Sequence, residues 1–172
     1  MVVKTDTTEC DDPSDADGSS ICYKIRTLQD AAAVAGGLAQ HFDEPEVASM
    51  AISELLLNAI EHGNLGVGGE LKARLLSQGT YFEEVERRLS TAPWKSRIAS
   101  VELAFRDPGW IVTITDEGEG FDWKNLPTEL DFSRLNGRGL LMARELFFDD
   151  VSFKKKGSVC VAVKNKPARL PL

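Results

Sequence analysis

The stretch Ile52-Ser-Glu-Leu-Leu-Leu-Asn-Ala-Ile-Glu-His-Gly-Asn64 has the apolar content of a buried helix, yet it carries Glu54, Asn58 and His62 at intervals of four. A helix turns about every 3.6 residues, so positions four apart share a face. At about 100° per residue, Glu54, Asn58, Glu61 and His62 fall on one side, and Ile52, Leu55, Leu56 and Ala59 fall on the other. A carboxylate, an amide and an imidazole in file suit an ordinary amphipathic helix, or the wall of a site. Leu57 lies beside the file, and the spacing gives no account of it.

The chain around this helix is soluble in character. Its 172 residues fit one domain with a real core, and 42% apolar with 27% charged residues is a globular composition. No apolar run approaches the ~20 residues that span a bilayer, and the N-terminus lacks the layout of a secretory signal. Cys10, Cys22 and Cys160 are odd in number and scattered, which argues against a disulfide framework and a zinc site. The cytoplasm is the expected compartment. Of the net charge of −7, most sits in residues 1–20, where six acids face Lys4 alone. That tail is expected to be disordered. Basic residues are neither in excess nor interleaved with aromatics, so no nucleic-acid footprint is present. Lys154–Lys156 read as the solvated end of a strand.

Along the chain, 21–27 alternates like a strand, and 28–42 is helical in pattern despite Gly36 and Gly37. Pro45 suits the first turn of the next helix, with Asp43 as its expected cap, and 62–69 stops that helix at about His62. Two short helical patterns follow, 70–78 and 81–90. Strands on either side of Pro108-Gly109 form a hairpin; a loop-like run, 117–139, leads to a helix at 140–148. A second hairpin closes the chain. The expected architecture is α+β: a two-layer sandwich with a mixed, mostly antiparallel sheet and helices packed on one face.

Two glycine-bearing stretches bear on the polar file. Asp116-Glu-Gly-Glu-Gly-Phe-Asp122 leaves a strand, and Asn136-Gly-Arg-Gly-Leu140 enters a helix. Glycines before a helix expose N–H groups with no intrahelical partner, which with the helix dipole favour phosphate; by themselves Gly137 and Gly139 also fit a plain turn. Asp116 could accept a hydrogen bond from a base amine, or serve as a turn residue. The amide oxygen of Asn58 suits magnesium, and Glu54 suits a general base.

In order, Ser53–Asn64, Asp116–Asp122 and Asn136–Leu146 resemble the asparagine box and two glycine boxes of the GHKL (Bergerat-fold) ATPases. The nearest look is to the anti-sigma factor serine/threonine kinase branch. Lys154–Lys164 resembles that family's last hairpin, with Gly157-Ser158 where glycine-threonine is usual. The resemblance spans residues 21–166, between the acidic tail and a short tail at 167–172. It implies a histidine-kinase-like ATPase domain that binds ATP and magnesium. Asn58 would hold the metal and Glu54 would act as base. Asp116 would take the adenine amine. Gly118, Gly120, Phe121, Gly137, Arg138, Gly139, Leu140 and Ser158 would line the base and phosphates, and His62 would support them. Residues 121–136 would form the ATP lid, and 66–97 would be a helical insertion. The implied activity is phosphorylation of a small antagonist protein in a partner-switching pathway, with a sigma factor or similar regulator as a second partner. Neither nucleic acid nor membrane is expected as a partner, and homodimers are common in that family. An ATP-sensing scaffold, or a detached catalytic domain of a two-component system, are the alternatives. Nothing around His41 offers the paired helices of a histidine-phosphorylating sensor kinase.

Overall fold

The computed structural model describes residues 20–121 and 138–166. The acidic tail up to residue 19, lid residues 122–136, Gly137 and residues 167–172 lie outside the described residues.

Five strands form one sheet in the order β1-β2-β3-β5-β4. They are β1 (Ser20–Ile25), β2 (Ala99–Arg106), β3 (Gly109–Thr115), β4 (Asp150–Lys154) and β5 (Val159–Asn165). Every pairing among the described residues is antiparallel, the far end of the mostly antiparallel sheet that the sequence predicts. Register puts the apolar residues in rows: Tyr23 opposite Val101, Val101 opposite Ile114, Ile114 opposite Cys160, and Cys160 opposite Phe153. Neighbouring rows carry Leu103, Val112 and Ala162 on the same face, all buried. The alternate positions Glu102, Thr113 and Ser152 stay partly exposed, as expected of an antiparallel sheet with one covered face.

The cover consists of α1 (Leu28–Ala39), α2 (Pro45–Asn58) and α5 (Arg138–Leu146), with α2 packed against both others. The α1 helix starts at a capping box: Thr27 Oγ1 accepts the Asp30 N–H at 3.1 Å, and Asp30 Oδ2 accepts the Thr27 N–H at 3.0 Å. The expected cap of α2 is corrected. Glu44, not Asp43, is its N-cap residue and makes no side-chain cap bond, while Pro45 opens the helix as predicted. The α5 helix also begins two residues early, at Arg138, so Gly139 sits within its first turn. Of the cysteines, Cys160 is free and buried, whereas Cys22 is disulfide-bonded, which the scattered spacing did not suggest. His41 packs its ring on Trp110, with centroids 5.6 Å apart, a structural place for the histidine.

Between α2 and β2 the insertion forms α3 (Gly69–Gln78) and α4 (Tyr81–Ser90), close to the two predicted helical patterns. It packs through Leu75, Tyr81, Val85 and Leu89, all buried. Arg87 and Arg88 lie over the Trp94 ring, 5.4 and 4.6 Å from its centroid. No helix among the described residues is long and apolar enough to cross a membrane.

Candidate functional site: a turn of π-helix between two glycine loops

The helix of the asparagine box does not run straight to its end. After Asn58 it widens into a π-helical turn, Ala59–Asn64, whose hydrogen bonds reach one residue further. The Leu65 N–H meets the Ile60 carbonyl at 2.8 Å, an i→i+5 bond. That extra residue changes the phase, and the predicted polar file is corrected at Glu61. Glu61 is 3% exposed and turns to the insertion, where its carboxylate accepts the Tyr81 hydroxyl and, at 2.5 Å, Lys72 Nζ. Burial and the Glu61 carboxylate together raise the Tyr81 pKa, which keeps the phenol a donor. Glu54, Asn58 and His62 stay half-buried. Leu57 finds its place packed against the core.

The widened turn aims its end at the first glycine loop. A Cβ on Gly63 would strike the Asp116 carboxylate, and one on Gly118 would strike the Gly63 carbonyl, so both positions exclude any other residue as the backbone stands. Asp116 Oδ1 accepts the Gly118 N–H at 2.8 Å. Asp116 is half-buried, and burial raises its pKa against the opposing effects of the Gly118 N–H and the Arg97 charge. His62 is pushed down, chiefly by burial and against the attraction of Glu61, so its imidazole is neutral at neutral pH.

The final hairpin closes the other side of this loop. The Asp116 N–H donates to the Ser158 carbonyl at 3.0 Å, and the Phe121 N–H donates to the Lys156 carbonyl at 2.9 Å. The Ser158 hydroxyl is engaged with the Lys155 carbonyl at 3.0 Å. Lys155 and Lys156 both take positive φ, 47° and 59°, before Gly157 at 99°, a strained turn held against Gly120 and Phe121.

Glu54 belongs to a second meeting point. A Cβ on Gly139 would collide with Glu54 Oε2, so the carboxylate lies directly on the first turn of α5. There it borders a cavity of about 460 Å³, whose other lining includes Val47, Met50, Met142 and Leu146. Leu140 is half-buried and packs on the core. Asn58 ends α2 one turn after Glu54. The structure thus joins Asp116, Gly118 and Ser158 around the π turn, Gly120 and Phe121 beside the final hairpin, and Glu54 with Gly139. Gly137 lies outside the described residues, and Arg138 contributes its backbone to the helix start.

A family model for the histidine kinase-like ATPase domain matches residues 24–164. The chain belongs to that family. No curated protein matches the sequence. As a histidine kinase-like ATPase domain it binds ATP, and the donor set suits such a ligand. Asp116 offers a half-buried carboxylate seated against Gly63 and Gly118, and α5 offers N–H groups at a glycine-backed start. No cluster of three or more acidic, His or Cys side chains that could cage a metal occurs among the described residues.

Sequence reasoning missed Gly63 and Asn64. It read residues 62–69 as a helix stop, whereas Gly63 and Asn64 complete the helical turn and reach the loop after β3. The signal available was the glycine directly after His62, a residue with no reason to sit inside a regular helix.

Proposed function

We propose that this histidine kinase-like ATPase domain is a protein serine/threonine kinase of the anti-sigma factor type, phosphorylating a small antagonist protein in a partner-switching pathway. The observation that supports it best is the Glu54 carboxylate lying on Gly139 at the start of α5. A domain that only held nucleotide would have no use for a base at the phosphate end.

In this reading Asp116 accepts the amine of adenine, with Gly63 and Gly118 letting its carboxylate and the π turn close on each other behind the base. The triphosphate runs to the α5 N–H groups, with Gly137, Arg138 and Gly139 alongside. Asn58 would hold magnesium through its amide oxygen; the ion supplies charge neutralisation on the phosphates. Glu54 removes the proton of the acceptor hydroxyl, whose oxygen bonds to the γ-phosphorus as the bond to the β-phosphate oxygen breaks, and ADP leaves. The domain contributes mainly positioning and charge. The apolar walls of the cavity beside Glu54, Met50 and Leu146 among them, suit the apolar neighbours of the acceptor residue. Alternation between antagonist and regulator would follow from nucleotide state, with the protein acting in the cytoplasm.

Glu54→Gln separates catalysis from binding. With an antagonist-type protein as acceptor, transfer falls by roughly 10²- to 10⁴-fold, the usual worth of general base catalysis, while ATP affinity is unchanged. Transfer at the wild-type rate removes Glu54 as base. Tight ATP binding with no transfer in the wild-type chain leaves a nucleotide-sensing scaffold.

A further inference from the structure

Asn64 is 2% exposed at the last position of the π turn and is tied down on three sides. Its Oδ1 accepts the Glu117 N–H at 2.8 Å, fifty-three residues away in sequence. Its main-chain carbonyl accepts Arg97 Nη1 at 2.9 Å. Its neighbour Gly63 touches both Asp116 and Gly118. The Asn64 Nδ2 donor is buried with no protein partner, the one buried side-chain polar atom so placed among the described residues. An apolar side chain would remove the unmet Nδ2 donor but would strip the Glu117 N–H of its acceptor, so the amide is kept here for its oxygen. What the amide supplies is the oxygen on Glu117, between the two residues that meet the base edge.

Arg97 stands where the insertion ends and β2 is about to begin, and other insertion residues grip the same turn. Arg88 Nη1 donates to the Leu65 carbonyl at 2.6 Å, and Lys72 and Tyr81 hold Glu61. The Glu117 carboxylate in turn accepts the Ile98 N–H at 2.9 Å. The insertion, the π turn and the Asp116–Gly118 loop are therefore fastened into one block through Asn64.

We propose that Asn64 is a positioning residue that fixes the Asp116–Gly118 loop for recognition of the purine amine, with Arg97 holding Asn64 in place from the end of the insertion. The proposal rests on the reading of Asp116 as the base acceptor. It gives the insertion a task at the nucleotide site, tuning which base is accepted, while leaving the phosphate end at Glu54 and Gly139 alone.

The test compares affinities for ATP and for inosine triphosphate, which carries an oxygen in place of the amine. The wild-type chain prefers ATP. In Asn64→Leu, of similar shape, the preference falls roughly tenfold, the worth of about one hydrogen bond, while inosine triphosphate affinity holds and the Glu117 amide loses protection from hydrogen exchange. Asn64→Asp, which keeps an oxygen for the Glu117 N–H, retains the preference and serves if Asn64→Leu does not fold. Full preference in Asn64→Leu with a freely exchanging Glu117 amide overturns the proposal, as does equal loss of preference in Asn64→Asp. A wild-type chain that binds both nucleotides alike overturns instead the reading of Asp116 on which the proposal stands.

Discussion

Asp116 shows how a single residue can be poor for folding and right for binding. Burial holds its pKa above the ordinary carboxylate range, only partly offset by the Gly118 N–H and by Arg97. The sign follows from linkage. A folded pKa above the unfolded one means that this group's stabilisation is full below the unfolded pKa and is lost as pH rises through the folded one. At neutral pH the ionised Asp116 therefore weighs against the apo fold. Asp116→Asn removes that charge, so the apo protein melts at the same temperature or higher. Its Oδ1 remains bound to the Gly118 N–H, which leaves an NH₂ donor facing the base amine, and ATP affinity falls by roughly 10- to 100-fold, the worth of a charged hydrogen bond. In the wild type, affinity falls on acidification through the raised Asp116 pKa, and in Asp116→Asn that dependence disappears. Parallel melting curves and ATP titrations from acidic to neutral pH check all three outcomes, and a lower apo melting temperature in Asp116→Asn refutes the charge argument.

At the scale of elements, the π turn decides what the asparagine-box helix can reach. Its regular part presents Glu54 to α5, and the wide turn swings Glu61 into the insertion and Gly63 onto Asp116. Glu61 is a buried carboxylate that depends on Lys72 and Tyr81, Lys72 being about 29% exposed along its side chain. Lys72→Met leaves the Glu61 charge with Tyr81 alone. The cost is about 2 kcal/mol, below that of breaking a fully buried pair because water reaches the Lys72 end, and denaturant melts read it as a lower midpoint. An unchanged midpoint means that Tyr81 suffices. This element also marks the boundary of what sequence can tell. Strand alternation, the hairpin at Pro108 and the helical patterns in the insertion were legible, because each depends on local period or turn chemistry. The glycine boxes pointed to Asp116, Gly118 and Gly139 because close backbone approach demands glycine. Glu61 was misplaced by a fixed turn angle, and Asn64 was overlooked, since one inserted residue changes every direction after it. The partner that makes Asn64 matter lies beyond an insertion and a strand. The cap at Thr27 and the missing cap at Asp43 depend on rotamers that spacing does not reveal.

On the scale of the whole molecule, the sheet and its helical layer hold two ligand-facing regions at fixed separation, the base loop at Asp116 and the helix start at Gly139. Both come from the same stretch of the sequence after β3, and they bracket the asparagine-box helix: Gly139 lies against Glu54 and Asp116 against the π turn at Gly63. A ligand touching both joins pieces that are otherwise linked only through the core, so ATP should stabilise the entire domain. At a hundredfold excess over its dissociation constant the gain is about 2.7 kcal/mol, on the order of 5–10 °C for a domain of this size. Magnesium strengthens the effect if Asn58 is its ligand, and a chelator or Asn58→Ala then removes the increment; equal shifts with and without the ion count against that role for Asn58. The account as a whole rests on the use of ATP against a hydroxyl. Its most direct test is to incubate the full chain with γ-labelled ATP, magnesium and antagonist-type proteins, and to follow the label through acid. The account predicts label on the antagonist that survives acid, as a phosphoserine or phosphothreonine does. Label that is lost in acid would mark a phosphohistidine and contradict it.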